Sequence, residues 1–323
     1  MDKINIAILG YGVIGKGVFE ICKNMPNINV VKILERKERF DSNYIELFTD
    51  NYEEIFQDKK INLIVEVLGG YDFAKEMILQ AIKHGKHVVT ANKEVIAKDI
   101  DTLLKLANDN NVSLAYEASV GGGIPIIKNL KEIKEVSKIT KITGILNGTT
   151  NYILTKMTEG ATFADALVDA KEKGFAEADP TADLEGYDMM RKIAILSDLA
   201  WDTYIDIEKI IHEGIKDITL EMVAKAKENN QVIKFVSEAK LVDNKVYVEV
   251  KPKYFSDKHF FASVNNEFNA VILETDPNDT LTFIGKGAGS LPTASAVVAD
   301  IIDIKNNRYL ENYQNLNIYD INK

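Results

Sequence analysis

Asp188 and Lys192 stand four residues apart, the spacing that puts an acid and a base on one face of a helix. The residues that follow, Ile193, Ala194, Leu196 and Leu199, describe a largely buried helix. A buried ion pair is costly to keep unless it serves a purpose, which favours chemistry over surface decoration. Just upstream, Glu177, Asp179, Asp183 and Glu185 concentrate negative charge near the helix start, where part of it suits the helix dipole. A second lysine, Lys93, follows Thr90-Ala91-Asn92 directly after an apolar run. A hydride delivered to a carbonyl leaves an alkoxide that needs a proton. A lysine ammonium supplies both positive charge and that proton. Carboxylates such as Glu177 and Asp188 would hold a substrate ammonium, so the combination suits a small amino-acid aldehyde. An unperturbed lysine is protonated at pH 7, which suits reduction; oxidation of the alcohol needs a neutral base and is expected to run faster at alkaline pH.

The hydride carrier has its own signature. Gly10-x-Gly12-x-x-Gly15 comes straight after a strand-like run at 4–9 and opens a helix. Gly10 permits the tight turn, Gly12 lets the backbone approach a pyrophosphate, and Gly15 lets helix and strand pack closely. The helix start at Val13 and Ile14 offers unpaired amides to the phosphates. The next strand ends in Leu34-Glu35-Arg36-Lys37, where the ribose would be read. Glu35 argues for NAD, Arg36 and Lys37 for NADP. Two cations against one acid tip the expectation to NADP(H).

These residues need a scaffold at whose edge they meet. Strands are expected at 4–9, 29–34, 63–68, 87–90 and 112–116, alternating with helices to about 24, at 73–84 and at 101–110. That alternation predicts an α/β Rossmann-type doubly wound parallel sheet, whose ligands lie outside the carboxyl ends of the strands. The pattern changes after about residue 128. A strand at 139–146, helices at 152–159, 163–173, 186–200, 208–212 and 220–229, and strands at 245–250, 269–274 and 280–284 read as an α+β unit. The boundaries are set at 1–128 and 129–289, with a last apolar helix, 293–304 within about 290–310, completing the first domain.

Composition removes several alternatives. With 323 residues the chain exceeds one comfortable core, and a net charge of −10 disfavours nucleic acid. No apolar run approaches the ~20 residues of a membrane helix, and the start leads straight into a strand rather than a signal peptide. The one cysteine, Cys22, excludes an internal disulfide and reads as a core residue on the first helix, not the nucleophile of an acylating dehydrogenase. The cytoplasm is the expected compartment. His84, His87, His212 and His259 show no recurring ligand spacing, so no transition-metal site is expected.

Three motifs carry a resemblance. They are 117–125 with its Val-Gly-Gly-Gly-Ile-Pro core, 144–154 containing Leu146-Asn147-Gly148-Thr149-Thr150-Asn151, and 174–192 containing Glu-Ala-Asp-Pro-Thr-Ala-Asp. In this order the chain resembles homoserine dehydrogenases, over about residues 4–305. The resemblance implies reversible NAD(P)-dependent reduction of L-aspartate 4-semialdehyde to L-homoserine, on the way to threonine, methionine and isoleucine. It implies Lys192 as proton donor and Lys93 as a second lysine at nicotinamide and substrate. Glu177 and Asp188 would bind the amino acid. Backbone oxygens of Glu117, Val120, Gly122 and Ile124 would hold a monovalent cation, sodium, that braces the site. Gly289 would touch the cofactor, and the assembly would be a homodimer built through the sheet of the second, substrate and dimerisation domain. Many members continue into a C-terminal threonine-sensing domain; ending at Lys323, this sequence is expected to be a short form without it. A dehydrogenase of another small amino or hydroxy acid, or a non-catalytic dinucleotide sensor lacking the Glu177–Asp188–Lys192 set, are the rival readings.

Overall fold

The computed structural model describes residues 3–308 and 320–322. The first unit opens with β1 (Ile4–Leu9), α1 (Val13–Cys22), β2 (Ile28–Leu34) and a short β3 (Phe48–Thr49). It continues through α2 (Tyr52–Gln57), β4 (Leu63–Glu66), α3 (Asp72–Lys83), β5 (His87–Thr90), α4 (Lys93–Asp109) and β6 (Leu114–Ala115). The strands form a six-stranded sheet in the order β3-β2-β1-β4-β5-β6, every pair parallel. Strand order reverses between β1 and β4, and that is where such a sheet opens a crevice at its carboxyl edge. Ile6, Ile8, Leu63, Val65 and Val89 are fully buried, as strands covered on both faces must be.

The second unit begins with α5 (Ile126–Lys134), β7 (Lys138–Ile145), α6 (Gly148–Thr158), α7 (Phe163–Glu172), α8 (Thr181–Leu184) and α9 (Tyr187–Trp201). After these come β8 (Ile211–His212), α10 (Leu220–Glu228), β9 (Gln231–Val242), β10 (Lys245–Ser256), β11 (Phe268–Asp276) and β12 (Asp279–Lys286). Its sheet runs β12-β11-β7-β9-β10, with β8 and a terminal β13 (Asp320–Ile321) both added alongside β10. α5, α6, α9 and α10 pack on this sheet.

The chain then returns to the first unit. α11 (Ser290–Lys305) packs along α1, so closely that a Cβ on Gly17 would lie 2.9 Å from Ser290 Oγ and 3.0 Å from Ala294 Cβ. Val297 and Ile301 of α11 are fully buried in the same core as Val18 and Phe19 of α1. Each such side chain contributes about 1.5–3 kcal/mol by leaving water. The expected helical segment beyond residue 308 lies outside the described residues.

Several expectations need correction. The boundary falls between Gly123 and Ile124, not at 128, because α5 belongs with β7 and α9. Residues 208–212 form no α-helix; a 3-10 turn at Ile207–Lys209 leads into β8. Ile207, Ile210 and Ile211 are β-branched, and a stretch this short cannot bear the cost of helix nucleation. α4 begins at Lys93 rather than 101, because Asn92 caps it by accepting from Val95 N at 3.2 Å. β3, α2, α5 and β9 were not anticipated.

Candidate active site

Within the second unit, α9 presents Asp188 and Lys192 inward. Their side chains are only 6% and 10% exposed. Lys192 Nζ donates to Asp188 Oδ2 at 2.7 Å and to the Leu146 carbonyl at 2.7 Å. An ammonium carries three N–H donors, so one has no acceptor among the described residues. Leu146 and Asn147 form the link from β7 into α6. Asn147 does two jobs there. Its Oδ1 caps α6 by accepting from Thr150 N at 2.9 Å, and its Nδ2 donates to Asp183 Oδ1 at 2.7 Å and Asp188 Oδ2 at 3.0 Å. Burial, reinforced by the negative charge of Asp188, pushes the Asp183 carboxyl above its usual range. Thr149 Oγ1 ties the same turn to the Phe175 carbonyl at 2.5 Å.

Glu177 stands apart from this cluster. It is exposed on the stretch between α7 and α8, and it makes no hydrogen bond to Asp188 or Lys192 among the described residues. In its place Asp183 and Asn147 join the pair. Neither was assigned a role from sequence. α6 starts at Gly148 rather than at the expected 152, and the Asn-Gly-Thr-Thr run could have revealed the cap at Asn147, but nothing local reveals its reach to carboxylates 36 and 41 residues away. A second buried network anchors the first turn of α6. Asn151 Nδ2 donates to the carbonyls of Val264, Asn266 and Phe268, and Lys234, whose amine burial pushes down to about 8, donates to Val264 O and Asn265 Oδ1.

The first unit carries the dinucleotide features. Gly10 has φ +101, and a Cβ on Gly15 would lie 2.0 Å from Gly10 O, so close packing of strand and helix requires glycine there. At Gly12 a Cβ would meet nothing within 4 Å, leaving open space where a pyrophosphate would lie. No side chain caps α1, so the first amides, from Val13 and Ile14, remain available, and Val13 is 70% exposed. α11 starts beside this loop, since Ser290 Oγ donates to Val13 O at 2.8 Å; Gly289, with φ +117, immediately precedes it. Glu35 turns inward: its Oε2 accepts from Tyr11 N at 3.0 Å and its Oε1 from Arg36 N at 2.9 Å. Arg36 and Lys37 are exposed, and Lys37 pairs with Asp50 at 3.2 Å. Lys93 is half-buried in the first turn of α4, at the carboxyl edge of β5.

Glu117 and Val120 are buried at and just beyond a 3-10 turn after β6, and Glu117 N donates to Asp300 Oδ2 at 2.9 Å. Gly121 and Gly122 both have positive φ, a backbone conformation that favours glycine. The Ile124 carbonyl accepts from Ile126 N at 2.8 Å. Oxygen donors of this kind suit a hard cation. The remaining sequence candidates have structural employment. Cys22 is buried and its thiol is pushed up to about 12, out of range for a nucleophile. His87 Nδ1 accepts from Ser113 N at 2.9 Å, and the His84 ring stacks on Phe56.

Known proteins share both units. The family described as homoserine dehydrogenase matches residues 125–302, and that described as the NAD binding domain of homoserine dehydrogenase matches residues 10–117. The homoserine dehydrogenase of Bacillus subtilis is 38% identical over 96% of this chain and 75% of its own length. A homoserine dehydrogenase structure from Thiobacillus denitrificans superposes with a TM-score of 0.93 at 35% identity, covering 99% of this chain and 80% of that one. A hyperthermophilic archaeal homoserine dehydrogenase in complex with NADPH superposes with a TM-score of 0.82 at 29% identity, over 97% and 100% of the two chains. A glycine loop that can take a dinucleotide, a buried lysine–carboxylate cluster and matches across nearly the whole length lead to one conclusion: the chain belongs to the homoserine dehydrogenase family.

Proposed function

We propose that this oxidoreductase reduces L-aspartate 4-semialdehyde reversibly to L-homoserine with NADP(H), and that Lys192 carries the proton. The carrying observation is the buried Lys192–Asp188 pair, with one ammonium N–H left over, joined through Asn147 to Asp183. The nicotinamide supplies or accepts the hydride when bound. Asp188 and the Leu146 carbonyl orient the Lys192 ammonium, which gives its proton to the oxygen formed on the aldehyde carbon. Asp188, with Asp183 joined to it through Asn147, holds the substrate ammonium; Glu177, expected from sequence to share that task, is exposed and outside the cluster. Lys93 adds positive charge near the nicotinamide and substrate.

Gly10, Gly12, Val13, Ile14, Gly15 and Gly289 would cradle the dinucleotide. NADP(H) is favoured because Glu35 is held inward by two backbone amides while Arg36 stays exposed beside it. An archaeal relative binds NADPH, which is consistent with this choice. Sodium on the oxygens of Glu117, Val120, Gly122 and Ile124 would stiffen the 117–124 run without entering the reaction. The protein is expected to be a cytoplasmic homodimer joined through the second unit's sheet. There, Lys141, Glu238, Lys253 and Glu249 form a partly exposed charge ladder.

Initial rates of homoserine oxidation with NAD and NADP in parallel, with and without sodium, test this directly. NADP should give the higher kcat/KM. Arg36→Ala should cut the NADP value by roughly 10–100-fold, the worth of one charge-assisted hydrogen bond, and leave the NAD value nearly unchanged. Equal losses with both cofactors would assign Arg36 no part in phosphate recognition. Absence of homoserine turnover with intact dinucleotide binding would favour the sensor reading.

A further inference from the structure

Glu66 is the last residue of β4, and it is fully buried at the edge of the sheet where the cofactor would bind. Two turns depend on its carboxylate. Oε1 accepts from Leu68 N at 2.8 Å, in the exit from β4 toward Gly69 and Gly70. Oε2 accepts from Thr90 Oγ1 at 2.5 Å, at the exit from β5. The chain of bonds continues, because Thr90 Oγ1 accepts from Asn92 N at 2.9 Å and Asn92 Nδ2 donates to Gly70 O at 2.8 Å. Asn92 is the cap that starts α4 at Lys93. Between Glu66 and Leu68, Val67 lies under the glycine loop: a Cβ on Gly10 would meet Val67 O at 2.9 Å. One carboxylate therefore fixes the seats of Gly10, Gly69–Gly70 and Lys93.

We propose that Glu66 is a positioning residue for the nicotinamide side of the cofactor site, and that it acts in its ionised form. The inference rests on the dehydrogenase reading above. Its physical basis is the direction of the bonds. Leu68 N–H and Thr90 O–H both donate to Glu66, and the Thr90 oxygen in turn accepts from Asn92 N–H. A protonated Glu66 would bring an O–H into a shell built from donors, so the turns would have to shift.

Burial raises the Glu66 carboxyl to about 7, opposed by its hydrogen bonds from Thr90, Leu68 and Asn92. The charged groups at the ends of neighbouring elements are Glu35 after β2, Lys93 and Glu94 opening α4, Glu117 after β6 and Asp300 on α11. A raised carboxyl makes the folded state bind more protons than the unfolded chain between 4.5 and about 7, so Glu66 lowers stability as pH rises through that window. The fold thus carries a destabilising charge above pH 7 at a ligand-facing edge, a pattern expected of function rather than of packing.

The test is NADH affinity, read by nicotinamide fluorescence from pH 6 to 8.5 on the intact protein; NADH lacks the titrating 2′-phosphate of NADPH. Wild-type Kd should rise about five- to tenfold from pH 8 to pH 6, the span of one titrating group. Glu66→Gln should hold a nearly flat, weak Kd across the range, while its melting temperature at pH 8 equals or exceeds that of wild type. Thr90→Val, which removes one donor to the carboxylate, should move the wild-type midpoint to higher pH, and it serves alone if the Gln variant fails to fold. Parallel Kd profiles in wild type and Glu66→Gln, or an unmoved midpoint in Thr90→Val, would overturn the inference. Tight NADH binding without homoserine turnover overturns the dehydrogenase reading instead, because the binding profile does not depend on catalysis.

Discussion

Replacing Lys192 by methionine should lower kcat for homoserine oxidation by roughly 10²–10⁴-fold, the usual worth of a positioned proton-transfer group. Methionine keeps much of the length and apolar volume of the lysine stem and removes only the ammonium. The dinucleotide features lie in the other unit, so cofactor Kd should change little. A variant within about threefold of wild-type activity would show that the proton travels by another route.

The second large effect concerns Asp188. Replacing it by leucine leaves the Lys192 ammonium bonded to Leu146 O without its directly paired carboxylate, Asp183 acting only through space. Removing one partner of a buried pair costs about 3–5 kcal/mol, because the remaining charge stays uncompensated. Urea unfolding should show that loss, and kcat/KM should fall by at least ~10²-fold because the ammonium loses its orientation. Combining Asp188→Leu with Lys192→Met removes both charges. Much of the stability should return, since an apolar pair of similar volume often equals or exceeds a buried ion pair. Activity should not return. That opposite behaviour separates a pair kept for chemistry from one kept for folding. If the double variant is no more stable than the single leucine variant, the ion pair does not account for the single variant's loss.

Sequence alone determined the features whose parts lie close together along the chain. The glycine loop after β1 requires its three glycines at fixed spacing, and its geometry follows from that spacing. Asp188 and Lys192 share a helical face, so their contact and burial were legible from one helix period and the apolar residues after them. The alternation of strand and helix in the first unit announced its parallel sheet for the same reason. β9 escaped because Val232, Phe235, Val236 and Ala239 also suit a helical face, and the buried Lys234 breaks any strand-like alternation. Tertiary structure decided the rest. Asn147 meets Asp183 and Asp188 only because α6, α8 and α9 pack together, and Glu66 reaches Thr90 only because β4 and β5 lie in parallel register. Periodicity reports which face of an element is apolar; it carries no record of which distant segment will lie against that face. The same reason left Glu177 outside the cluster and brought Asp183 into it.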